Sequence, residues 1–277
     1  MKRNLIYSAL TACALLCGNA AQALVVTPES DANLLANNIA GSGITISNVN
    51  YIGASGASGL FTDGLSSGLG FDTGVLLTTG SAAGAVGPNN VSNYSVNNSM
   101  AGDSDLDSLS GVTTNDATSL SFDFEFDGGS GGDIFFNFIF ASEEYNEYVG
   151  STYNDVFGLF VNGTNIALLP DTTPVTINNV NNTSNAAYFN DNAAGTHNIQ
   201  YDGFTKSLSV SMKGLSAGLH TMKFAIADGT DFAWDSGIFI QAGSFSDTPT
   251  DVPEPAPMLL LSLGLIGLGF ARKRANT

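Results

Sequence analysis

The sequence predicts a mainly β protein, an antiparallel β-sandwich or jelly-roll-like fold, with one short N-terminal helix and a C-terminal hydrophobic helix. Three observations predict it. Short stretches alternate apolar and polar residues with a period of two, the mark of a half-buried strand. The 277 residues include 32 Gly, and Asn, Ser and Asp crowd the segments between those stretches, as turns require. Hydrophobic residues make up 43% of the chain and 18 of them are Phe, enough for a packed core and too apolar for acidic disorder.

Taken in order, the elements are as follows. Ser30 can cap a helix whose first turn holds Asp31, and Leu34, Leu35 and Ile39 form its apolar stripe before Gly41 and Gly43 stop it. From Ile44 the period becomes two. Ile44–Ile52 and Val75–Thr79 read as strands, and Ser121–Asp127 sets Phe122, Phe124 and Phe126 inward against acids outward. Ile134–Phe140 puts Phe136, Phe138 and Phe140 on one face; Ser207–Met212, His220–Ile226 and Ile238–Ala242 complete the set. Gly128–Asp133 reads as a hairpin connection between two Phe-rich strands. Segments 80–116 and 180–198 read as long loops rich in Asn, Ser and Gly.

Both chain ends read as addresses. Lys2 and Arg3, an apolar stretch from Leu5 to Cys17 and the small-x-small site Ala21-Gln22-Ala23 make residues 1–23 a signal peptide for signal peptidase. A membrane anchor would need about 20 apolar residues, more than this run has. A lipobox at Leu10–Cys13 would leave an unusually short apolar core. At the other end, linker 246–251 leads into segment 252–277: Pro253-Glu254-Pro255, an apolar helix over 258–270, and the basic tail Arg272-Lys273-Arg274. Thirteen residues rise only about 20 Å as a helix, against a hydrocarbon core of about 30 Å. Its position behind a proline break and before a basic stop still marks it as a transmembrane helix of transient use, with the preceding domain outside. The three parts resemble the PEP-CTERM sorting signal. That resemblance implies an exosortase substrate, exported across the inner membrane of a Gram-negative bacterium to the cell surface or extracellular matrix.

Removing the ends leaves a domain over 24–245 plus its linker. Cys13 and Cys17 go with the signal, so no disulfide or thiol chemistry remains. Only Lys206, Lys213 and Lys223 stand against 24 of the 25 acids, a formal charge of −21. Nucleic acid is excluded as a partner, since phosphate contacts need Lys and Arg.

Segments Phe138–Ser151, with Glu143-Glu144-Tyr145-Asn146-Glu147 at its centre, and Tyr153–Gly158 are distinctive. With Gly102–Asp107, Asn165–Pro170, Pro174–Val180, Tyr201–Thr205, Ala225–Asp228 and Asp235–Ile240 they resemble the choice-of-anchor L domain of bacterial surface proteins. The resemblance covers most of the chain between the two addresses and implies no enzymatic activity. The position of Asn146 is often Pro in that family.

The acids carry the chemistry. Glu143, Glu144, Glu147, Asn154 and Asp155 follow one predicted strand, and Asp228, Asp231 and Asp235 follow another. If those strand ends meet, the oxygens suit Ca²⁺, which takes six to eight. The competing reading makes them solvated turn and cap residues. Asp103, Asp105 and Asp107 form a weaker Ca²⁺ candidate, because an EF-hand would need Gly at Ser108 and Glu at Thr114. No nucleophile elbow, metalloprotease motif or phosphate loop is present, and His220 is in phase with Met222 and Phe224 as a sheet residue. No catalytic residues are expected, although Glu143 and Glu147 could in principle form a glycosidase pair. Trp234 either packs in the core or stacks on a sugar. The expectation is a non-enzymatic structural or adhesive module with Ca²⁺ as its candidate stabilising ion; the alternatives are a carbohydrate-binding module for extracellular polysaccharide and, less well supported, a glycan-active hydrolase.

Overall fold

A computed structural model describes residues 23–251. The signal segment with Ala21, and the Pro253-Glu254-Pro255 motif with its apolar run and basic tail, lie outside the described residues. Among the described residues no helix is long and apolar enough to cross a membrane.

Two antiparallel sheets face each other. The larger runs β1 (Val25–Pro28), β3 (Ser58–Thr62), β4 (Gly74–Thr78), β13 (Ser236–Gln241), β6 (Gly132–Ser142), β10 (Gly203–Thr205), β9 (Phe189–Asp191), with β11 (Leu208–Leu215) also paired to β6. The smaller runs β2 (Ile44–Ile52), β5 (Thr114–Phe126), β12 (His220–Gly229), β7 (Val156–Val161), β8 (Thr164–Asn165). Alternation fixes what each face buries. Phe122, Phe124 and Phe126 of β5, Phe136, Phe138 and Phe140 of β6 and Phe224 of β12 meet between the sheets. The larger sheet is also covered outside, where Leu76, Ile139, Ala141, Tyr201, Phe204 and Phe239 pack with Phe61 and Phe71.

Helix α1 (Ala32–Ile39) forms where expected, but Asp31 rather than Ser30 is its cap, accepting from the N–H groups of Asn33 and Leu34. Leu35, Ala36 and Ile39 are buried while Leu34 is 54% exposed, so the stripe is narrower than the pattern implied. Short helix α2 (Gly64–Ser67) and helix α3 (Ser104–Ser110) were not anticipated; α3 lies inside the expected long loop 80–116 and packs Leu106 against the outside of the smaller sheet.

The Gly128–Asp133 segment is not a hairpin. β5 and β6 belong to opposite sheets, so the glycines carry the chain across the sandwich from one layer to the other. Strand β7 has no alternation because both of its faces are covered: Phe157, Leu159 and Val161 enter the central core, and Val156 and Phe160 lie beneath α3. Ser246, the first residue of the expected linker, still exchanges two backbone hydrogen bonds with Phe135, at 2.9 and 3.2 Å.

Candidate functional site

Seven strand ends meet at one end of the sandwich. In the larger sheet Ser236 and Gly203 both pair with Ser142, and Gly237 pairs with Thr78. This aligns Asp235 before β13, Glu143 after β6, Asp202 before β10 and Thr79 after β4. In the smaller sheet Asp228 pairs with Asn115, and Ala227 pairs with Val156. That aligns Asp228 on β12, Asp116 on β5 and Asp155 before β7. Antiparallel pairing thus converts remote sequence positions into one cluster of carboxylates.

Several of these carboxylates are held by donors from neighbouring loops. Asp155 accepts from the Gly229 N–H at 2.8 Å and the Ser236 hydroxyl at 2.5 Å. Asp116 accepts from the N–H groups of Asn98 and Met100, at 2.8 and 2.6 Å. Asp235 Oδ1 accepts from the Val96 N–H at 2.9 Å, and Asp202 Oδ1 from the Asn89 amide at 2.5 Å. The Asn98 amide bonds the carbonyls of Thr79 and Gly80, at 2.7 and 2.9 Å, and so ties the 94–100 loop over the site. Asp116, Thr230 and Trp234 adopt left-handed backbone conformations, with φ of 45°, 79° and 66°. For a β-branched or bulky residue that conformation is costly and tends to gather at functional sites.

Other oxygens have no such partner. Glu143 and Asp228 are 0% and 1% exposed, yet both oxygens of each carboxylate lack a hydrogen-bond partner, as do Glu144 Oε2, Asp202 Oδ2 and Asp235 Oδ2. A buried charged group left unpaired carries a large desolvation penalty. No lysine relieves it: among the described residues, the ion pairs are those of Lys223 with Asp103 and Asp105, at 2.6 and 2.8 Å.

The acidities follow. Burial, reinforced by the charge of Asp202, pushes Glu143 up to about 9; the nearby Gln200 amide eases this only in part. Burial raises Asp235 to about 7 against the pull of its Val96 hydrogen bond. Glu144 and Asp155 are raised by burial first; Asp155 and then Asp231 add to it for Glu144, while the Ser236 and Gly229 bonds oppose it for Asp155. Asp228 stands well above the ordinary carboxylate range through burial and then Asp155, with the nearby Thr79 hydroxyl opposing the shift only in part. Asp116, Asp202 and Asp231 are raised by burial as well. Such an end must bind protons or cations at neutral pH.

Of the expected site residues, Glu143, Glu144, Asp155, Asp228, Asp231 and Asp235 are brought together. Glu147 stays exposed at the rim, and the Asn154 side chain is engaged with the Ser110 carbonyl and the Asn178 N–H instead. Asp103, Asp105 and Asp107 stand apart: Asp103 caps α3, Asp103 and Asp105 bind Lys223, and Asp107 holds Thr114 through its N–H at 2.6 Å. Asp116 and Asp202 belong to the cluster and were missed; each sits at a strand start, where local pattern shows no sign of what the topology sets beside it. Among the described residues, no three acidic, His or Cys side chains already converge on one point as a metal cage. A Ca²⁺ shell here would therefore rely on backbone carbonyls and water beside one or two carboxylates, as such shells commonly do.

Tyr148 lies edge-on to both Trp234 and Tyr153, with ring centroids 4.7 and 5.1 Å apart, and all three are half-buried at the same end. His220 is a satisfied sheet residue: its ring nitrogens meet the Asn162 amide at 2.9 Å and the Ser216 carbonyl at 2.8 Å.

The choice-of-anchor L domain profile matches residues 25–246, four-fifths of the chain and the whole sandwich just described. The chain belongs to the choice-of-anchor L family. The PEP-CTERM protein-sorting motif matches residues 251–274, directly behind it. That signal makes this choice-of-anchor L protein an exported protein, recognised by an exosortase and sorted to the cell surface of a Gram-negative bacterium. No curated protein and no solved structure matches the chain.

Proposed function

We propose that this choice-of-anchor L domain is a non-enzymatic structural or adhesive module of the surface or extracellular matrix, whose acidic end binds Ca²⁺ and is stabilised by it. The observation that carries the reading is the pair Glu143 and Asp228, fully buried with no well-formed hydrogen bond to any of the four carboxylate oxygens, the Gln200 amide and the Thr79 hydroxyl being their nearby donors. A divalent cation supplies the missing partner, and oxygen-rich donors favour Ca²⁺ over softer metals. The transient membrane stage of sorting and any matrix polysaccharide partner belong to the same reading. The test is a thermal melt of the full chain in excess Ca²⁺ and in EGTA. A ligand that binds the native state at 100 times its Kd adds about 2.7 kcal/mol. Coincident melts would overturn the Ca²⁺ reading.

A second reading, carbohydrate binding, is favoured by the half-exposed Trp234, Tyr148 and Tyr153 beside the acidic end, since aromatic faces stack on sugar rings. Glycan-array binding that vanishes in Trp234→Ala supports it; Trp fluorescence unmoved by matrix polysaccharide counts against it. A glycosidase pair has less support, because Glu143 is fully buried and out of reach of a polysaccharide chain.

A further inference from the structure

The acidic end divides into two parts along the backbone of the larger sheet. In β6, Phe136, Phe138 and Phe140 face the smaller sheet, and Ile139 and Ala141 face outward. Glu143 continues the outward set, its N–H still donating to the Asp235 carbonyl at 3.0 Å as the ladder would. In β13, Phe239 faces outward, and Asp235 shares its parity. In β10, Phe204 faces outward, and Asp202 precedes it by two. In the opposite layer, Phe224 and Ile226 of β12 face the core, and Asp228 continues them; Phe157 of β7 does so too, and Asp155 precedes it by two.

The charges sort in the same way. The nearest like charges of Glu143 are Asp202, then Asp235 and Glu147. Those of Asp228 are Asp155, then Asp235 and Asp116, and those of Glu144 are Asp155, Asp231 and Glu147. Glu143 and Asp202 form one neighbourhood and Asp228 and Glu144 another, with Asp235 as the shared wall. Each neighbourhood holds a fully buried carboxylate with both oxygens unpartnered. The outer one offers Glu143 Oε1 and Oε2, Asp202 Oδ2 and Asp235 Oδ2; the inner one offers Asp228 Oδ1 and Oδ2 and Glu144 Oε2. Glu143, Asp202, Asp235, Glu144, Asp155 and Asp228 share this end, and their unpartnered oxygens fall in two separate places rather than one.

We infer that the domain holds two Ca²⁺ ions, an outer one bound through Glu143 and Asp202 beside Asp235 and an inner one bound through Asp228 and Glu144 beside Asp155. Backbone carbonyls and water complete each shell. The inference rests on the Ca²⁺ reading above and adds its number and division.

The full chain, stripped with EGTA and titrated with CaCl₂ at pH 7.5 in a calorimeter, binds two ions. Asp202→Asn abolishes the outer ion and Asp228→Asn the inner one, each leaving one. A single ion in the wild-type chain overturns the division while the Ca²⁺ reading stands; no ion overturns both. Loss of both ions in either variant, with an unchanged far-UV circular dichroism spectrum, also overturns the division. Should a variant not fold, elemental analysis of calcium in the gel-filtered wild-type chain decides between one ion and two without it.

Discussion

Replacing Glu143 by Gln removes a charge from the most enclosed part of the acidic end and leaves the side chain's shape. Burial and Asp202 raise Glu143 in the native state to about 9, from an ordinary value of 4.5. Between those values the folded chain holds a proton that the unfolded chain has released, so unfolding gains ground as pH rises through the window. Each pH unit is worth about 1.4 kcal/mol, so at pH 7.5 wild-type Glu143 destabilises the metal-free protein by about 4 kcal/mol relative to a neutral group. Gln has no such cost, since it carries no proton to lose in this range. In EGTA the Glu143→Gln protein therefore melts higher than wild type, by about 8–16 °C if each kcal/mol moves a chain of this size by about 2–4 °C. In excess Ca²⁺ the wild type gains and the variant, short of a ligand, gains less, so the gap narrows or inverts. Differential scanning calorimetry of both full chains with EGTA and with Ca²⁺ reads all four values. A variant that melts lower than wild type in EGTA would refute the reasoning, since Glu143 would then be stabilising as a charge.

In EGTA, the unfolding free energy of the wild-type chain from urea denaturation falls between pH 5 and pH 8, by about 1.4 kcal/mol per pH unit for each carboxyl titrating in the window, and Ca²⁺ flattens the profile; a free energy that rises with pH contradicts the weakened acidities of Glu143 and Asp235. Gly80→Ala places a methyl group where the Asp235 carboxylate sits, so it costs about 1–3 kcal/mol and weakens Ca²⁺ binding, measured by melting and by calorimetric titration. Phe124→Ala empties a fully buried position against Phe126, His220 and Phe245 and costs about 3–5 kcal/mol in urea denaturation, without changing the number of ions bound. Replacing Pro253-Glu254-Pro255 by three Ala stops sorting, so that cell fractionation finds the protein in the inner membrane rather than at the surface.

A polar face left a clear period of two in the sequence; of the strands covered on both faces, β4, β6 and β13 were still legible as apolar runs, and β7 was not. β5 alternates because Phe122, Phe124 and Phe126 enter the core while Asp123 and Glu125 meet water, so its period survives in the residues. β7 reads Val-Phe-Gly-Leu-Phe-Val, six buried residues in a row, because α3 covers the face that solvent would otherwise wet. The helix that erases the pattern was itself hidden: only Leu106 of α3 is buried, and the Asp and Ser around it read equally as loop. The misreading of Gly128–Asp133 has a related cause. Two Phe-rich runs joined by glycines look alike whether they pair with each other or face each other across a core, and only the pairing of β5 with β12 and of β6 with β13 distinguishes the two.

The acidic end was legible as composition and not as geometry. Lacking Arg and nearly lacking Lys, the domain had to gather its carboxylates somewhere without counterions, and the Glu143–Asp155 and Asp228–Asp235 segments are two of the places where acids recur within a few residues. Asp116 and Asp202 each stand without another acid within several residues, so density could not select them. Asp103, Asp105 and Asp107 are as dense as the true cluster, yet they end up as a helix cap, the partners of Lys223 and a support for Thr114. What separates the two groups is burial without a donor. An acid at the surface can be solvated or paired at little cost, whereas Glu143 and Asp228 are shut away from water with their oxygens unmet. That condition arises only when strand ends from both sheets close over one another. The proposed cation binding is therefore a consequence of topology: antiparallel pairing aligns Glu143 with Asp202 and Asp235, and Asp228 with Asp155, although these acids are far apart in the chain.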